Sequence, residues 1–388
     1  MTQSAIVCTE EPDSERAGRD LGEQVVARLD GAPPDALILF VSPKYDAVPF
    51  LRAVEAAAGP KVMVGCSSAG EFTSTNYGQG KACAIALRSP DMEFAVGVGR
   101  DIGRDRTAVA RQVTSTFKGI GRLNGGYHSA LVLTDALAGH ADELIEQLTV
   151  MTKGSYQFFG GGAGDDANFR RTQVFIGTEV ASDAAVALEI LSRKPIGVGV
   201  RHGWNPAGDP LRVTDAAGAR IISLNAAPAV EVFRAHARRT GQDFDPEDPV
   251  PFFLHNILGI DTGNGYKLRV PLAVNPDGSV SCAAEVPRGA IVRIMATDSQ
   301  SAADAAANAA RDAIARLNGE PPAVAIFFDC VATRLRMGKD FGFELQSVQD
   351  VLGPAAFAGC NTYGQIARAE GQFSGFHNCT AVVCAFPG

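Results

Sequence analysis

One pattern recurs three times along this chain of 388 residues, and it restricts the chain to a narrow set of folds. An apolar run, an amphipathic segment and a second short apolar run lead into a glycine-rich corner, a polar stretch and a further apolar run. The first copy reads Ala36–Val41, Ala47–Ala58, Lys61–Val64, the corner Gly65-Cys-Ser-Ser-Ala-Gly-Glu71 and Ala82–Leu87. The second reads Ala130–Thr134, then Asp142–Thr152 with Leu144, Ile145, Leu148 and Met151 at helical spacing. It continues through the corner Phe159-Gly-Gly-Gly-Ala-Gly-Asp165 to Gln173–Ile176 and Ala184–Leu191. The third reads Ala323–Phe328, Phe341–Leu352, the corner Gly359-Cys-Asn-Thr-Tyr-Gly-Gln365 and Cys379–Phe386. Ala36 to Gly65 and Ala130 to Phe159 both span 29 residues, which aligns Ala69-Gly70-Glu71 with Ala163-Gly164-Asp165. Gly65-Cys66 and Gly70 match Gly359-Cys360 and Gly364.

Two strands bridged by a helix pair in parallel. A turn-linked continuation adds antiparallel strands at the edge of the unit, so the sheets are expected to be mixed. The predicted class is α/β: mixed sheets built from repeated strand-helix-strand-Gly corner-strand units. The length is too great for one ordinary core. Two pseudo-related domains are expected, residues 1–223 and 224–388, divided near Ser223–Asn225. Outside the repeats, the pattern predicts a strand at Ala5–Val7, helices at Arg16–Leu29, Ala227–Thr240 and Ala302–Leu317, and a hairpin over Arg212–Thr214 and Arg220–Ile222. An antiparallel set is expected over Leu268–Val274, Val280–Ala284 and Ile291–Ala296, turned at Asn275-Pro-Asp-Gly278.

The formal charge is −8, from 43 acids against 35 bases, with no basic stripe, so neither nucleic acid nor anionic membrane is an expected partner. No run approaches the roughly 20 apolar residues of a membrane helix. The N-terminus lacks a basic region followed by an apolar one. The eight cysteines show no Cys-x-x-Cys spacing, which fits reduced thiols and a cytoplasmic location.

These residues are similar to a known family. Gly65–Glu71, Gly160-Gly-Gly-Ala-Gly-Asp-Asp166 and His202-Gly-Trp204 followed by Pro206 and Gly208 resemble a FIST N domain. Gly289-Ala290, Cys330 with Arg334, Gly359–Gly364 and His377-Asn-Cys-Thr380 resemble a FIST C domain. The likeness covers about residues 30–388. It implies a sensory, ligand-binding module that is not an enzyme, for which small ligands such as amino acids have been proposed. Some stand-alone members are haem proteins that sense nitric oxide and act on a partner histidine kinase, so haem is a possible cofactor. Gln365 stands where the family's corner usually carries glutamate, so a ligand contact needing a negative charge there is not carried over.

The expected ligand-binding set, gathered from the corners and family motifs, is Cys66, Ser67, Ser68, Gly70, Glu71, Gly161, Gly162, Asp165, Arg201, His202, Arg334, Cys360, Tyr363, Gly364, His377 and Asn378. If the three units surround a common centre, their corners converge. Acids such as Glu71, Asp165 and Asp166 beside Arg170, Arg171, Arg201 or Arg334 would then suit a zwitterion, since the arginine fork binds carboxylate bidentately. The bland alternative is that the acids only cap turns. In the haem alternative His202 and His377 are the axial candidates. His255 could line a pocket, and His236, in His-Ala-Arg-Arg, is expected to face solvent. No His/Cys spacing resembles a zinc site. Gly160–Gly164 lacks Gly-Lys-Ser/Thr, and Asp165-Asp166 would repel phosphate. A cysteine-dependent enzyme would use Cys66 or Cys360 with a nearby base.

Overall fold

The computed structural model describes residues 1–122, 126–368 and 374–388. The expected parallel pairs are present in all three units. Ala36–Val41 pairs in parallel with Val62–Ser67, Tyr127–Thr134 with Gln157–Gly162, and Pro322–Cys330 with Ala356–Thr362. Helices Ala47–Ala58, Ala141–Met151 and Phe341–Leu352 make the crossovers. The first starts where the Asp46 carboxylate accepts the Val48 N–H and stops at Gly59 in the left-handed conformation, as a polar cap and a terminal glycine dictate. The helices are amphipathic and bury one face each; Phe50, Leu51 and Val54 are the buried face of Ala47–Ala58.

Each parallel pair lies at the middle of a six-stranded mixed sheet. On one side its own unit adds an antiparallel strand: Ala82–Arg88, Ala184–Ser192 or Ala381–Pro387. On the other side the structure departs from expectation. The strands that follow each corner do not stay with their unit but cross to the neighbouring sheet. Glu71–Thr73 of the first unit pairs with Ala356–Thr362 of the third. Gln365–Arg368 of the third pairs with Gln157–Gly162 of the second, and Val174–Ile176 of the second pairs with Val62–Ser67 of the first. The exchange is cyclic and ties three sheets into one body.

The units also begin earlier than their clearest signals. Gln3–Thr9, Met92–Arg100 and Gly197–Arg201 form the outer antiparallel strands of the three sheets. Helices Ser14–Arg28, Arg106–Thr114 and Ser299–Ala315 accompany them. A side chain at Gly197 or Gly199 would lie 1.9 or 1.8 Å from the carbonyl oxygens of Ala313 or Ala309, so the alanine-rich helix needs bare backbone beneath it. Gly97 and Gly99 give helix Arg106–Thr114 the same clearance against Val113 and Val109. The inner faces of the three sheets meet in one core containing Ile38, Phe40, Leu131, Phe159, Ile326 and Phe328.

Between Arg201 and Ser299 the third unit is interrupted by residues that build a nine-stranded antiparallel sheet. It contains the expected hairpin, as Leu211–Ala217 with Arg220–Leu224, and packs against helix Ala229–Thr240 around Phe233, Phe252 and Phe253. Among the elements not legible from the pattern are strand Ile257–Asp261, the short helix Val250–Phe253 and the short helix Val331–Met337. His236 is a correction. It is buried rather than solvent-facing, with Nε2 against the Asn256 amide oxygen at 3.1 Å and Nδ1 2.9 Å from Arg239. His-Ala-Arg-Arg reads as a polar surface, but the 3.6-residue period puts His236 on the same face as Phe233 and Ala237.

Candidate ligand site at the junction of the three corners

The strand exchange brings the three corners together. Ala69 N–H donates to Asn361 O, and Asn361 N–H returns the bond to Gly70 O, both at 2.9 Å. Gly164 N–H donates to Ser67 O at 2.9 Å, joining the second corner to the first. Gly162 N–H donates to Gly364 O at 2.8 Å and Tyr363 N–H to Gly162 O at 3.0 Å, joining the second to the third. Gly70 and Gly364 hold φ of +125° and +135°, a backbone state that glycine enters without steric cost. The glycines that begin the matched corners have another role. A Cβ at Gly65 or Gly359 would sit 2.4 or 1.7 Å from the carbonyl oxygen of Leu39 or Phe327 on the adjacent parallel strand.

The two acids that align in the sequence behave oppositely. Glu71 is fully buried; it accepts from Ser68 Oγ–H and, at 3.1 Å, from the Lys81 N–H. Burial pushes its pKa up to about 8 against those bonds. Asp165 is also buried, which raises its pKa, but its bonds outweigh that and hold it below the usual carboxylate range. The Tyr363 hydroxyl donates to it, as do the backbone N–H groups of Phe169, Arg170 and Arg171 at 2.8, 2.7 and 2.8 Å. Asp165 is therefore occupied in organising its own loop. Ser67 is likewise engaged, its Oγ accepting from Gln173 N–H at 3.0 Å.

Arg334 is different. It lies on helix Val331–Met337, half-buried, with Asp166, Glu71 and Tyr363 close enough to act on its charge. Burial lowers its pKa, and its Nε and Nη2 are buried without a hydrogen-bond partner. Beside it, Asn361 is fully buried and neither atom of its side-chain amide is bonded. Both groups face Gly70: a Cβ there would come within 2.9 Å of Asn361 Oδ1 and 3.2 Å of Arg334 Nε. Asp166 completes the cluster from the second corner, with Oδ2 accepting from Ser42 Oγ–H at 3.2 Å and a pKa raised by burial. The ring of Phe169, 46% exposed, stacks on Tyr363 at 4.5 Å between centroids and stands free to cover a neighbour.

Of the expected site residues, Cys66, Ser67, Ser68, Gly70, Glu71, Gly161, Gly162, Asp165, Arg334, Cys360, Tyr363 and Gly364 do gather at this junction. Arg201 does not: it pairs with Asp312 at 2.8 Å on the outer helix Ser299–Ala315. His202 lies toward the nine-stranded sheet, with Nε2 3.1 Å from Tyr266 O and Nδ1 accepting the Trp204 N–H at 3.3 Å. Its pKa is lowered by burial. His377 and Asn378 are buried on the same side, where burial holds His377 down at about 3. Both nitrogens of His202 are already bonded, so an iron would have to displace one of those bonds.

Asn361 was missed by the sequence reading, although the signal was there. It occupies the position of Ser67 in the matched corner, a polar side chain directly after the aligned cysteine. Gln365 also has a local reason. Its amide donates to Thr362 Oγ at 2.9 Å and accepts the Thr380 N–H at 3.2 Å, and a carboxylate would lose the donor. A cleft of about 600 Å³ opens between helix Ala141–Met151 and the nine-stranded sheet. Its Lys267 and Arg269 are both held by Asp142, Lys267 at 2.5 Å, and Asp142 also accepts the Phe376 N–H.

Comparison with known proteins agrees with this architecture. Residues 35–227 match the FIST N domain and residues 229–368 the FIST C domain. Two uncharacterized proteins from two strains of Mycobacterium tuberculosis are each 25% identical over 391 residues, covering 97% of this chain and 97% of their own length. Two sensory-domain models thus follow one another across most of the sequence, and the chain belongs to the FIST family.

Proposed function

We propose that this protein is a non-enzymatic sensor that binds a small carboxylate or zwitterion at the corner junction and signals to a partner protein. One observation carries the reading: the Nε and Nη2 of Arg334 and the side-chain amide of Asn361 are buried and unbonded among the described residues. Buried polar groups left unsatisfied cost about 1–3 kcal/mol each, and more when charged, so a protein that keeps them has a use for them. The Nε–Nη2 edge is the fork that takes a carboxylate bidentately. Asp166 supplies a counter-charge for an ammonium group. The anchor comes from the third unit, Gly70 from the first and Asp166 from the second, so a ligand would bias how the three units sit together. A ligand signals only through such a preference.

The thiols favour this reading over a cysteine enzyme. Cys66 and Cys360 are fully buried, and burial pushes the Cys360 thiol well above its ordinary value, away from a reactive thiolate. Among the described residues no helix is long and apolar enough to cross a membrane. We place the protein in the cytoplasm on its unpaired cysteines, and a histidine kinase is the partner class that the family likeness favours. The test is a thermal-shift screen of amino acids and small carboxylates. A ligand is expected to raise Tm in the native protein; Arg334→Gln should weaken it at least tenfold with the fold intact by circular dichroism. Asp166→Asn should weaken zwitterions but not simple carboxylates. A ligand whose shift survives Arg334→Gln, or a screen without any shift, overturns the assignment.

A further inference from the structure

The eight thiols are not equivalent. Three pairs are in contact: Cys66 with Cys360, Cys330 with Cys379, and Cys8 with Cys83. The first two are buried on both sides, shut off from any dissolved oxidant. The third has one buried member and one half-buried member that lines an open surface depression with Glu11, Arg16 and Asp20.

Cys8 and Cys83 are direct partners across the antiparallel strands Gln3–Thr9 and Ala82–Arg88. Such partners have Cα atoms roughly 4.5–5.5 Å apart, inside the roughly 4.4–6.8 Å that a disulfide spans. Their sulfurs are 3.0 Å apart, with the Cys83 thiol donating to Cys8. No backbone movement is needed to close the bond. The charge environment agrees. The bond from Cys83 and nearby Lys81 outweigh burial and lower the Cys8 pKa, whereas burial holds Cys83 well above its ordinary value. An accessible thiol with thiolate character beside a buried resolving thiol is the arrangement that peroxide-sensitive pairs need.

We propose that Cys8 and Cys83 form a reversible disulfide when the protein meets hydrogen peroxide. The Cys8 thiolate attacks one peroxide oxygen; the O–O bond breaks, and the leaving hydroxide takes up a proton as water. Cys8 then carries a sulfenic acid. The Cys83 sulfur, giving up its proton, attacks the Cys8 sulfur and displaces the hydroxyl group as a second water. Two thiols lose two electrons in total, and one peroxide becomes two waters. The disulfide would fasten the edge strand Gln3–Thr9 to its neighbour, two residues from the Lys81 N–H that holds Glu71.

The test uses the full-length reduced protein treated with a few equivalents of hydrogen peroxide. Two of its eight thiols should disappear from a denatured thiol titration and return with dithiothreitol. A non-reducing peptide map should join the peptides containing Cys8 and Cys83. Cys83→Ala should strand Cys8 as a sulfenic acid that dimedone traps, and Cys8→Ala should leave the remaining thiols intact. An unchanged thiol count, a cross-link between any other pair, or Cys8 oxidised beyond sulfenic acid in the native protein would each overturn the proposal. The readout is independent of whether the corner junction binds a ligand.

Discussion

Glu71 is a carboxyl sealed from solvent, and that gives it a measurable signature. Its folded pKa, about 8, lies above its ordinary value of 4.5. Between those values the native state holds a proton that the unfolded state has released, so stability falls as pH rises through the window and is flat above it. One such proton is worth about 1.4 kcal/mol per pH unit. Glu71→Gln keeps the shape and an acceptor for the Lys81 N–H, and its amide can donate to Ser68. We expect its melting temperature to decline less steeply than that of the native protein between pH 5 and 8, with the variant the more stable at pH 8. Parallel curves would refute the assignment. Burial lifts Glu344 to about 8 as well, so the native decline is shared and the variant removes only part of it. At this scale the sequence was a partial guide. Aligned corners placed Glu71 and Asp165 together, yet their opposite protonation depends on which backbone N–H groups reach each one. Asp165 receives three from a loop whose path no local pattern reveals, and Asn361 acquires meaning only once Arg334 lies beside it.

Among the elements, the helices were the most legible. Ala47–Ala58 and Phe341–Leu352 have the ends that the periodicity predicts: an apolar stripe and a following glycine agree locally in both, and Asp46 caps the first. Strand partners were less so. Alternation and apolar runs say that a segment is a strand; they do not say across which neighbour it will lie, and Glu71–Thr73 is three residues long. Met92–Arg100 with helix Arg106–Thr114 was overlooked although Gly97-Val-Gly99 repeats as Gly197-Val-Gly199. Two glycines allow a test at this scale. Gly31 and Gly364 both have positive φ, +81° and +135°. A Cβ at Gly31 meets nothing within 4 Å, whereas one at Gly364 would fall 2.0 Å from the Phe376 ring, inside the exchanged hairpin. Gly31→Ala should therefore cost only the backbone strain, about 1 kcal/mol. Gly364→Ala should cost several times as much, since overpacking adds about 1–3 kcal/mol to that strain. Equal losses in urea denaturation would show that the packing of the exchanged hairpin is not tight.

For the whole molecule, the exchange decides what can fold alone. The repeats suggested units that close on themselves. Instead Glu71–Thr73 and Gly197–Arg201 pair with strands Ala356–Thr362 and Ala381–Pro387 from the far end of the chain, and Gln157–Gly162 takes Gln365–Arg368. The central core mixes Ile38 and Leu131 with Ile326, Phe328 and Phe386. Cutting the chain after Asn225, at an exposed turn between strands, tests whether this interlocking matters. Fragment 1–225 would keep its helices but expose bare strand edges and the apolar inner faces of two sheets. Such edges pair with other chains. We expect the fragment alone to be aggregated or to melt without a cooperative transition. Co-expression with residues 226–388 should restore a monomeric complex with one sharp transition, followed by size exclusion and circular dichroism. A soluble, monomeric fragment that unfolds cooperatively would mean that the first two units are a self-sufficient domain and that the exchanged strands are accessory. The same result would weaken the sensory reading, because a ligand held between Arg334, Gly70 and Asp166 can report its presence only if the three units respond as one body.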